Sequence, residues 1–317
     1  MARAPHATAE TPDEPADAPI DGPWAHGTTT ANDLQCHYVT AGEGDPVVFL
    51  HGFPEFWYGW RRQLPAVAEA GYRTIAPDLR GYNRTERPAG VEQYRLDVLV
   101  EDVVALVETL CDGSATIVGH DWGGLIAWEV AGRRPDVVDR LAILNAPHPE
   151  LYDRELRSLD QLLRSWYILY FQLPVVPDRL LGAFDARLVR WLFENASEFE
   201  NAFTPEDIDR YCRAVSRPGA PTAAINYYRA LFRATIRDEL PLLSRPGHPP
   251  GAMQAGRIDV PTLVCWGLQD VALVPELTVG LDEWVSDLRL ERFPAASHWL
   301  HHELPEEISE TLLDWLV

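Results

Sequence analysis

No apolar run in this 317-residue chain is long enough to cross a bilayer or to act as a secretory signal. The first residues, Met1 to about Pro23, are instead rich in Ala, Pro, Asp and Thr. This composition predicts a disordered tail over residues 1–23. We therefore expect a cytoplasmic protein without a membrane anchor.

Cysteine is scarce. Cys36, Cys111, Cys212 and Cys265 are far apart, no two of them form a C-x-x-C pair, and each lies in or beside an apolar run. The spacing shows no disulfide pattern, so we expect four reduced thiols in apolar surroundings.

Basic residues are few beside acidic ones. Lys and Arg number 27 against 48 Asp and Glu, which gives a formal net charge of -21. That charge repels phosphate backbones and anionic headgroups, so nucleic acid and acidic membranes are poor partners. The acidic residues are spread along the chain, as on a solvated surface. A 46% share of hydrophobic residues suffices for a large globular core.

Short apolar strands alternate with helical segments over much of the chain. We predict strands at 34–40, 46–50, 73–77, 115–119, 140–145, 262–267 and 288–293, and helices at 96–110, 122–134 and 305–317. This alternation is typical of an α/β fold with a mostly parallel sheet. Over residues 149–250 the strand pattern stops, and aromatic residues, Leu and Arg recur at helical spacing. We predict a helical cap there, inserted before the last strands of a core formed by residues 24–148 and 251–317.

The segment Val118-Gly119-His120-Asp121-Trp122-Gly123-Gly124 follows a β-branched strand and directly precedes a helix. It has the form of a nucleophile elbow, with Asp121 where serine is commoner. Gly119 and Gly123 meet the need for small residues in this tight turn. We therefore predict that Asp121 is the catalytic nucleophile.

An aspartate nucleophile indicates the kind of reaction. A hydroxyl that attacked a saturated carbon would leave an ether, which water does not readily cleave, whereas a carboxylate leaves an ester. A histidine-activated water can then hydrolyse that ester. The pattern favours displacement at carbon, as in epoxides and alkyl halides, over acyl transfer.

Elbow hydrolases place their triad in the order nucleophile, acid, histidine. His298 lies between the last predicted strand and the final helix, so we predict it as the base, with Asp270 after the preceding strand as its partner. His301 and His302 compete for the role, but we predict them to be solvated at the start of the final helix. In some related enzymes the acid that orients the histidine follows the preceding core strand. In this chain Asn145 occupies that region, and asparagine cannot serve as a carboxylate.

The segment His51-Gly52-Phe53-Pro54 follows a predicted strand. We expect the backbone N–H groups of Phe53 and Trp122 to form an oxyanion hole for the Asp121 ester. Pro54, which has no N–H, helps to fix the loop. A strand-ending turn with a buried His51 is the alternative interpretation.

These segments together resemble the epoxide hydrolase branch of the α/β-hydrolase superfamily over residues 22–317. The resemblance rests on the elbow and on four further motifs: HGFPEFWYGW at 51–60, DLRGY at 78–82, NAPHP at 145–149 and SHW at 297–299.

The resemblance implies two cap tyrosines that hydrogen-bond the epoxide oxygen and act as general acids. Tyr167 and Tyr228 lie in segments similar to those of the family, with Tyr170 and Tyr227 as alternatives in register. Without the resemblance, these aromatics would be interpreted as cap packing. The chain departs from the family at Asn83, where a second glycine is common; asparagine tolerates left-handed backbone geometry, so the loop can persist.

We accordingly predict an epoxide hydrolase without cofactor or metal, which forms an ester on Asp121 and releases a vicinal diol through water activated by His298. Its partners would be a small apolar epoxide and water, and the protein would be a monomer or homodimer. The predicted substrate contacts are His51, Phe53, Pro54, Trp57, Trp122, Tyr167 and Tyr228.

Other functions fit the same elbow. A haloalkane or haloacid dehalogenase also uses aspartate, and Trp122 could cradle a halide, but Phe53 offers no second halide donor and haloacid-type relatives carry Arg where this chain has Trp122. A non-catalytic ligand-binding homologue stays open because a fold does not assign a function, although the complete set of predicted catalytic residues argues against it. An esterase is disfavoured, since acyl transfer to Asp121 would form an anhydride.

Overall fold

A computed structural model of the protein describes residues 19–195, 197, 199, 202–239 and 253–317. The predicted disordered tail lies outside these residues except for 19–23. The predicted cap boundary at residue 250 lies outside them as well, so the proposed division into core and cap stays a prediction.

Eight strands of the described chain form one sheet. Their bounds are β1 Ala25–Ala31, β2 Leu34–Ala41, β3 Pro46–Leu50, β4 Arg73–Pro77, β5 Ala115–His120, β6 Val138–Leu144, β7 Thr262–Gly267 and β8 Leu288–Phe293. The strand order is β1-β2-β4-β3-β5-β6-β7-β8. Strand β2 is antiparallel to both of its neighbours, and the other pairs are parallel. The predicted α/β fold with a mostly parallel sheet is confirmed.

Strand β1 is the one strand of the described sheet that the sequence pattern does not predict. Its sequence, AHGTTTA, shows little alternation of apolar and polar residues. It lies at the edge of the sheet and pairs only with β2. An edge strand packs few side chains against the core, so its residue pattern carries a weak signal.

Helices connect the strands. Their bounds are α1 Gln63–Glu69, α2 Leu96–Leu110, α3 Trp122–Arg133, α4 Pro149–Glu155, α5 Leu159–Arg164, α6 Trp166–Phe171, α7 Val176–Asn195, α8 Pro205–Val215, α9 Ala220–Glu239, α10 Leu300–Glu303 and α11 Pro305–Leu316. Helix α2 packs against α3, and α1 against α11. Helices α4 to α9 all lie between β6 and β7, and we refer to them as the helical insertion. No helix of the described residues is both long and apolar enough to span a bilayer.

The central strands are buried along their whole length. Every residue of β5 and β7 is buried, as is typical of parallel strands covered on both faces. The four cysteines are free and buried, as their apolar surroundings predict. Because β3, β5, β6, β7 and β8 are parallel, their carboxyl ends meet at one edge of the sheet. The residues predicted to form the site follow those ends.

A buried ion pair attaches the helical insertion to the core. Arg61, which follows β3, lies 2.8 Å from Asp207 of α8, and both side chains are almost completely buried. The Tyr58 hydroxyl donates a 2.9 Å hydrogen bond to the same carboxylate. Burial alone would raise the pKa of Asp207, but the Arg61 charge and the hydrogen bonds hold it below its usual value. The carboxylate is therefore ionised, and the contact is electrostatic as well as steric.

The loop at Asn83 has the left-handed geometry that asparagine tolerates. Its φ angle is 39°, and its side-chain amide donates a 2.9 Å hydrogen bond to the buried carboxylate of Asp78. The replacement of the family's common glycine is therefore accommodated, as the sequence predicts.

Gly123 provides a test of how closely α3 approaches the sheet. An added Cβ would lie 2.2 Å from the carbonyl oxygen of Leu50 in β3, a backbone atom that cannot rotate away. We expect Gly123→Ala to lower the free energy of unfolding by about 3 kcal/mol, because strand and helix must separate. At Gly256 an added Cβ meets no atom within 4 Å but φ is 62°, so Gly256→Ala should cost roughly 1 kcal/mol. Urea denaturation compares the two variants, and equal losses would contradict the expectation.

Candidate active site

Asp121 stands on the predicted elbow between a strand and a helix. Strand β5 ends at His120, and α3 begins at Trp122. Asp121 itself has φ 51° and ψ -119°, a conformation that few non-glycine residues adopt. Its carboxylate is partly exposed, with 20% of the side chain accessible. The turn thus presents a carboxylate above the carboxyl edge of the sheet.

A backbone donor lies beside the Asp121 carboxylate. The N–H of Phe53, in the loop after β3, donates to Asp121 Oδ1 at 2.7 Å. Trp122 is the first residue of α3, so its N–H has no acceptor within the helix. The Phe53 N–H thus lies against the carboxylate, and the N-terminal end of α3 favours negative charge there. The role of the Trp122 N–H as an oxyanion-hole donor stays a prediction.

His298 lies between two carboxylates. Its Nδ1 is 2.7 Å from Asp270 Oδ2, and its Nε2 is 3.6 Å from Asp121 Oδ2. The second oxygen of Asp270 accepts hydrogen bonds from the N–H groups of Ala272 and Leu273 at 2.7 and 2.9 Å. The structure thus brings together the predicted nucleophile, base and acid.

The charges of this group stabilise one another. Burial would lower the pKa of His298, but the carboxylates of Asp270 and Asp121 raise it well above its ordinary 6.5. Burial would likewise raise the pKa of Asp270, but the His298 charge and the hydrogen bonds hold it below its ordinary 3.8. The two shifts favour the imidazolium form of His298 beside the Asp270 carboxylate.

Asn145 supports Asp270 from below, a role that the sequence does not suggest. Its side-chain amide donates to Asp270 Oδ2 at 2.5 Å, and its side-chain oxygen accepts from the Gly267 N–H at 2.8 Å. Asn145 directly follows β6, next to β7 in the sheet. Asn145 therefore occupies the position where some related enzymes carry the acid, and in this chain it orients Asp270 instead.

An apolar cavity of about 410 Å³ opens above Asp121. The wall includes Asp121, Trp122, Tyr167 and Tyr228 among the predicted site residues, together with Leu125, Pro147, Pro149, Glu150, Tyr152, Asp153, Leu156, Leu162, Ser165, Ile168, Leu169, Leu231, Phe232, Thr235, Met253 and Leu273. Most of these residues belong to the helical insertion. The insertion and the elbow therefore enclose one space.

Tyr167 of α6 and Tyr228 of α9 meet in the wall of this cavity. Their ring centroids are 5.7 Å apart and the ring planes are nearly perpendicular. Burial, followed by the charge of Asp121, raises the pKa of Tyr228 well above 10, and burial does the same for Tyr167. Both hydroxyls therefore keep their protons at neutral pH and can donate them.

The alternatives in register lie elsewhere. Tyr227 is fully buried, and its hydroxyl donates to the carbonyl oxygen of Arg80 at 2.7 Å. Tyr170 contacts the rings of Trp166 and Phe171. Neither belongs to the cavity wall.

Four of the residues predicted to contact substrate, His51, Phe53, Pro54 and Trp57, do not belong to the cavity wall. His51 is fully buried, and its ring nitrogens are engaged by the Gly52 carbonyl and the Leu79 N–H. Trp57 and Pro54 are buried as well. Phe53 stays near the site, with its ring 5.4 Å from that of Tyr228. The loop therefore presents the Phe53 N–H to the site, while most of its side chains are buried.

The prediction that His301 and His302 are solvated is wrong. Each is 1% exposed. His302 Nε2 donates to Glu55 at 2.6 Å, and its Nδ1 accepts from Arg61 at 3.1 Å. Burial lowers the pKa of His302 to about 4, so the ring is neutral. Residues distant in sequence bury this pair, and the local sequence pattern does not reveal those contacts.

Glu55, His120 and His301 form the group within the described residues that could hold a metal ion. Their ligand atoms lie within 4.8 Å of one another. The Glu55 carboxylate, however, already lies 3.1 Å from His120 Nδ1 and 2.6 Å from His302 Nε2. The Glu55 oxygens are thus engaged by two histidines, whereas the ring nitrogens of His301 have no hydrogen-bond partner among the described residues.

Comparison with known proteins agrees with this geometry. The family model described as alpha/beta hydrolase fold matches residues 45–305. The chain is 37% identical to the AB hydrolase superfamily protein YfhM of Bacillus subtilis, over 90% of this chain and 95% of the relative. It is 35% identical to epoxide hydrolase 3 of Xenopus tropicalis, over 92% of this chain and 77% of the relative.

A solved structure is similar along almost the whole chain. The crystal structure of Bacillus megaterium epoxide hydrolase in complex with an inhibitor superposes with a TM-score of 0.82 at 34% sequence identity. The match covers 92% of this chain and 99% of that chain.

Asp270→Asn tests the charge arrangement around His298. We expect the pKa of His298 to fall, because the variant removes a buried carboxylate 2.7 Å away. Titration of the imidazole followed by NMR measures the shift directly. An unchanged pKa would show that Asp270 does not hold the imidazolium.

The same variant should change stability with pH. The raised pKa of His298 adds stability below 6.5 that is lost as the pH rises through the raised value. The lowered pKa of Asp270 adds stability above 3.8 that is lost as the pH falls through the lowered value. Between pH 3.8 and pH 6.5 both contributions are present. The free energy of unfolding of the wild type should therefore exceed that of the variant most in this range, by about 3 kcal/mol.

Proposed function

The chain belongs to the epoxide hydrolases of the α/β-hydrolase superfamily, and from this premise we propose that it hydrolyses an epoxide to a vicinal diol through a covalent ester on Asp121. One observation carries the proposal. The Asp121 carboxylate faces an apolar cavity that also holds two protonated tyrosines, and the His298 imidazolium lies 3.6 Å behind it.

In the first step, one Asp121 oxygen attacks a ring carbon, and the bond from that carbon to the epoxide oxygen breaks. The released oxygen takes a proton from Tyr167 or Tyr228, which becomes a phenolate. The product is a hydroxyalkyl ester on Asp121. Donation by the tyrosines supports this step, because an alkoxide is a poor leaving group in an apolar cavity.

Ester formation also prepares the base. The negative charge of Asp121 contributes to the raised pKa of His298, and the ester removes that charge. The imidazolium then releases its proton more readily, and the phenolate regains a proton by way of solvent. His298 becomes neutral at the stage that requires a base.

In the second step, a water molecule attacks the ester carbonyl carbon while His298 takes one of its protons. The N–H groups of Phe53 and Trp122 would hold the resulting oxyanion. Collapse expels the diol oxygen, which leaves with the proton of the tetrahedral centre. Asp121 is again a carboxylate and His298 again an imidazolium, so water and epoxide are consumed and every protein proton is restored.

The cavity supports a small apolar substrate. Its wall is mainly aliphatic and aromatic, and about 410 Å³ accommodates a ring-sized or short-chain substituent on the epoxide. We propose that the helical insertion acts as a cap, because it supplies both tyrosines and most of that wall. Closure by these helices would keep bulk water from the first step.

The ester can be trapped by separating its formation from its hydrolysis. We expect His298→Gln to accumulate an adduct on Asp121 when incubated with styrene oxide, because the variant keeps the nucleophile and loses the base. Asp121→Asn should form no adduct. Intact-protein and peptide mass spectrometry locate the added mass. Absence of the adduct with an epoxide that the wild type turns over would refute the mechanism.

Isotope labelling provides an independent check on the same step. During turnover in heavy-oxygen water, the wild type should incorporate label into the Asp121 carboxylate, since water attacks the ester carbonyl. The first diol released should carry an unlabelled oxygen from Asp121. Label placed directly in that diol would show that water attacks the epoxide itself.

The tyrosine roles predict a specific loss. We expect Tyr167→Phe and Tyr228→Phe each to slow ester formation by about 100-fold, because each removes one donor to the developing alkoxide. Tyr170→Phe is the matched control, since this residue of the same helix α6 lies outside the cavity wall. Stopped-flow or quenched-flow kinetics with substrate below enzyme concentration measure the step. A loss in the control equal to that in Tyr167→Phe would contradict the assignment.

A further inference from the structure

His120 is the last residue of β5 and directly precedes Asp121. Its side chain is fully buried, and its Nε2 lies 2.9 Å from the main-chain carbonyl oxygen of His298. A carbonyl oxygen can only accept, so Nε2 must carry the hydrogen and donate it. The residue beside the nucleophile therefore holds the main chain of the residue that carries the base.

The other ring nitrogen of His120 is also held. Nδ1 lies 3.1 Å from Glu55 Oε2. Burial would raise the pKa of Glu55, but His302, His120 and His301 hold it well below its ordinary value. Both ring nitrogens of His120 therefore lie at hydrogen-bond distance from buried partners. The orientation of the ring is fixed at its two ends.

We propose that His120 is a positioning residue for ester hydrolysis, a role that rests on the proposed function. The bond from Asp270 holds the His298 imidazole at Nδ1 only, which leaves the ring able to swing about that contact. The bond from His120 fixes the main chain of the same residue. Together they place Nε2 at 3.6 Å from the Asp121 carboxylate, where it can deprotonate the water molecule that attacks the ester.

A competing explanation assigns His120 a structural role alone, as a hydrogen-bond partner of the buried Glu55 carboxylate. The two explanations depend on different ring nitrogens. Positioning of the base depends on Nε2, which faces His298, whereas compensation of Glu55 depends on Nδ1. Glutamine and asparagine carry amides at two different distances from Cα, so each can replace one of these nitrogens without the other.

The experiment compares His120→Gln with His120→Asn. The glutamine amide is separated from Cα by as many bonds as Nε2 and can still donate to the His298 carbonyl. The asparagine amide corresponds to Nδ1 and can still donate to Glu55. Each protein is mixed with styrene oxide below the enzyme concentration and quenched over time, and mass spectrometry follows the rise and decay of the Asp121 ester.

We expect His120→Asn to slow ester decay by about tenfold to a hundredfold while the rise changes little, as expected for a small displacement of a catalytic group. His120→Gln should keep decay within about threefold of the wild type, although it leaves Glu55 with one donor fewer. The reverse order, or equal decay rates in the two variants, would overturn the proposal in favour of the structural role.

Folding and mechanism are controlled separately. Thermal unfolding shows whether each buried substitution is tolerated. If either variant does not fold, Glu55→Gln replaces it, because this change weakens the contact at Nδ1 and leaves the Nε2 bond to His298. Ester decay near the wild-type rate in Glu55→Gln would support positioning, and a loss of tenfold or more would overturn it. Absence of any ester in the wild type and in His298→Gln would instead refute the proposed function.

Discussion

The imidazole of His298, held between the carboxylates of Asp121 and Asp270, is the interaction on which the rest of the site depends. The three side chains come from separate strand ends, and only the parallel order of β5, β6, β7 and β8 brings those ends to one edge. The alternating charges make the group stable before substrate arrives. Because esterification removes one of the negative charges, the same arrangement that stores a proton also releases it when a base is needed.

A second layer of polar residues supports this group from inside the protein. Asn145 bonds the acid at 2.5 Å, and Phe53 bonds the nucleophile through its N–H at 2.7 Å. Glu55 and His120 lie beneath the base in a region without solvent contact. Buried polar groups are costly unless every one is matched, so these residues constrain one another as a set. The cavity above has the opposite character, since its wall is mostly apolar.

Much of the fold could be predicted because its signals are local. The elbow, the central strands and the order of the triad are each visible in a short stretch of residues, and the structure brings Asp121, Asp270 and His298 together. Strand β1 could not be predicted, because an edge strand needs little apolar patterning. The burial of His301 and His302 depends on Glu55 and Arg61, more than 200 positions away. His51 and Trp57 were predicted to contact substrate but are buried, because the sequence does not show which side of their loop faces the core. Long-range partners, rather than residue types, decide these cases.

The ion pair between Arg61 and Asp207 has a consequence for chimeric enzymes. Cap exchange between homologues is an obvious way to alter which substrates such a scaffold accepts, and the junctions at either end of the transplanted segment would ordinarily receive the design effort. Here the incoming segment would also need an acid in the first turn of its fifth helix. A donor without one would leave a guanidinium stranded in the protein interior, at a cost of several kcal/mol that no improvement at the splice sites could recover. Compatibility between the core and a transplanted segment thus depends on the charge at position 207, which is far in sequence from either junction.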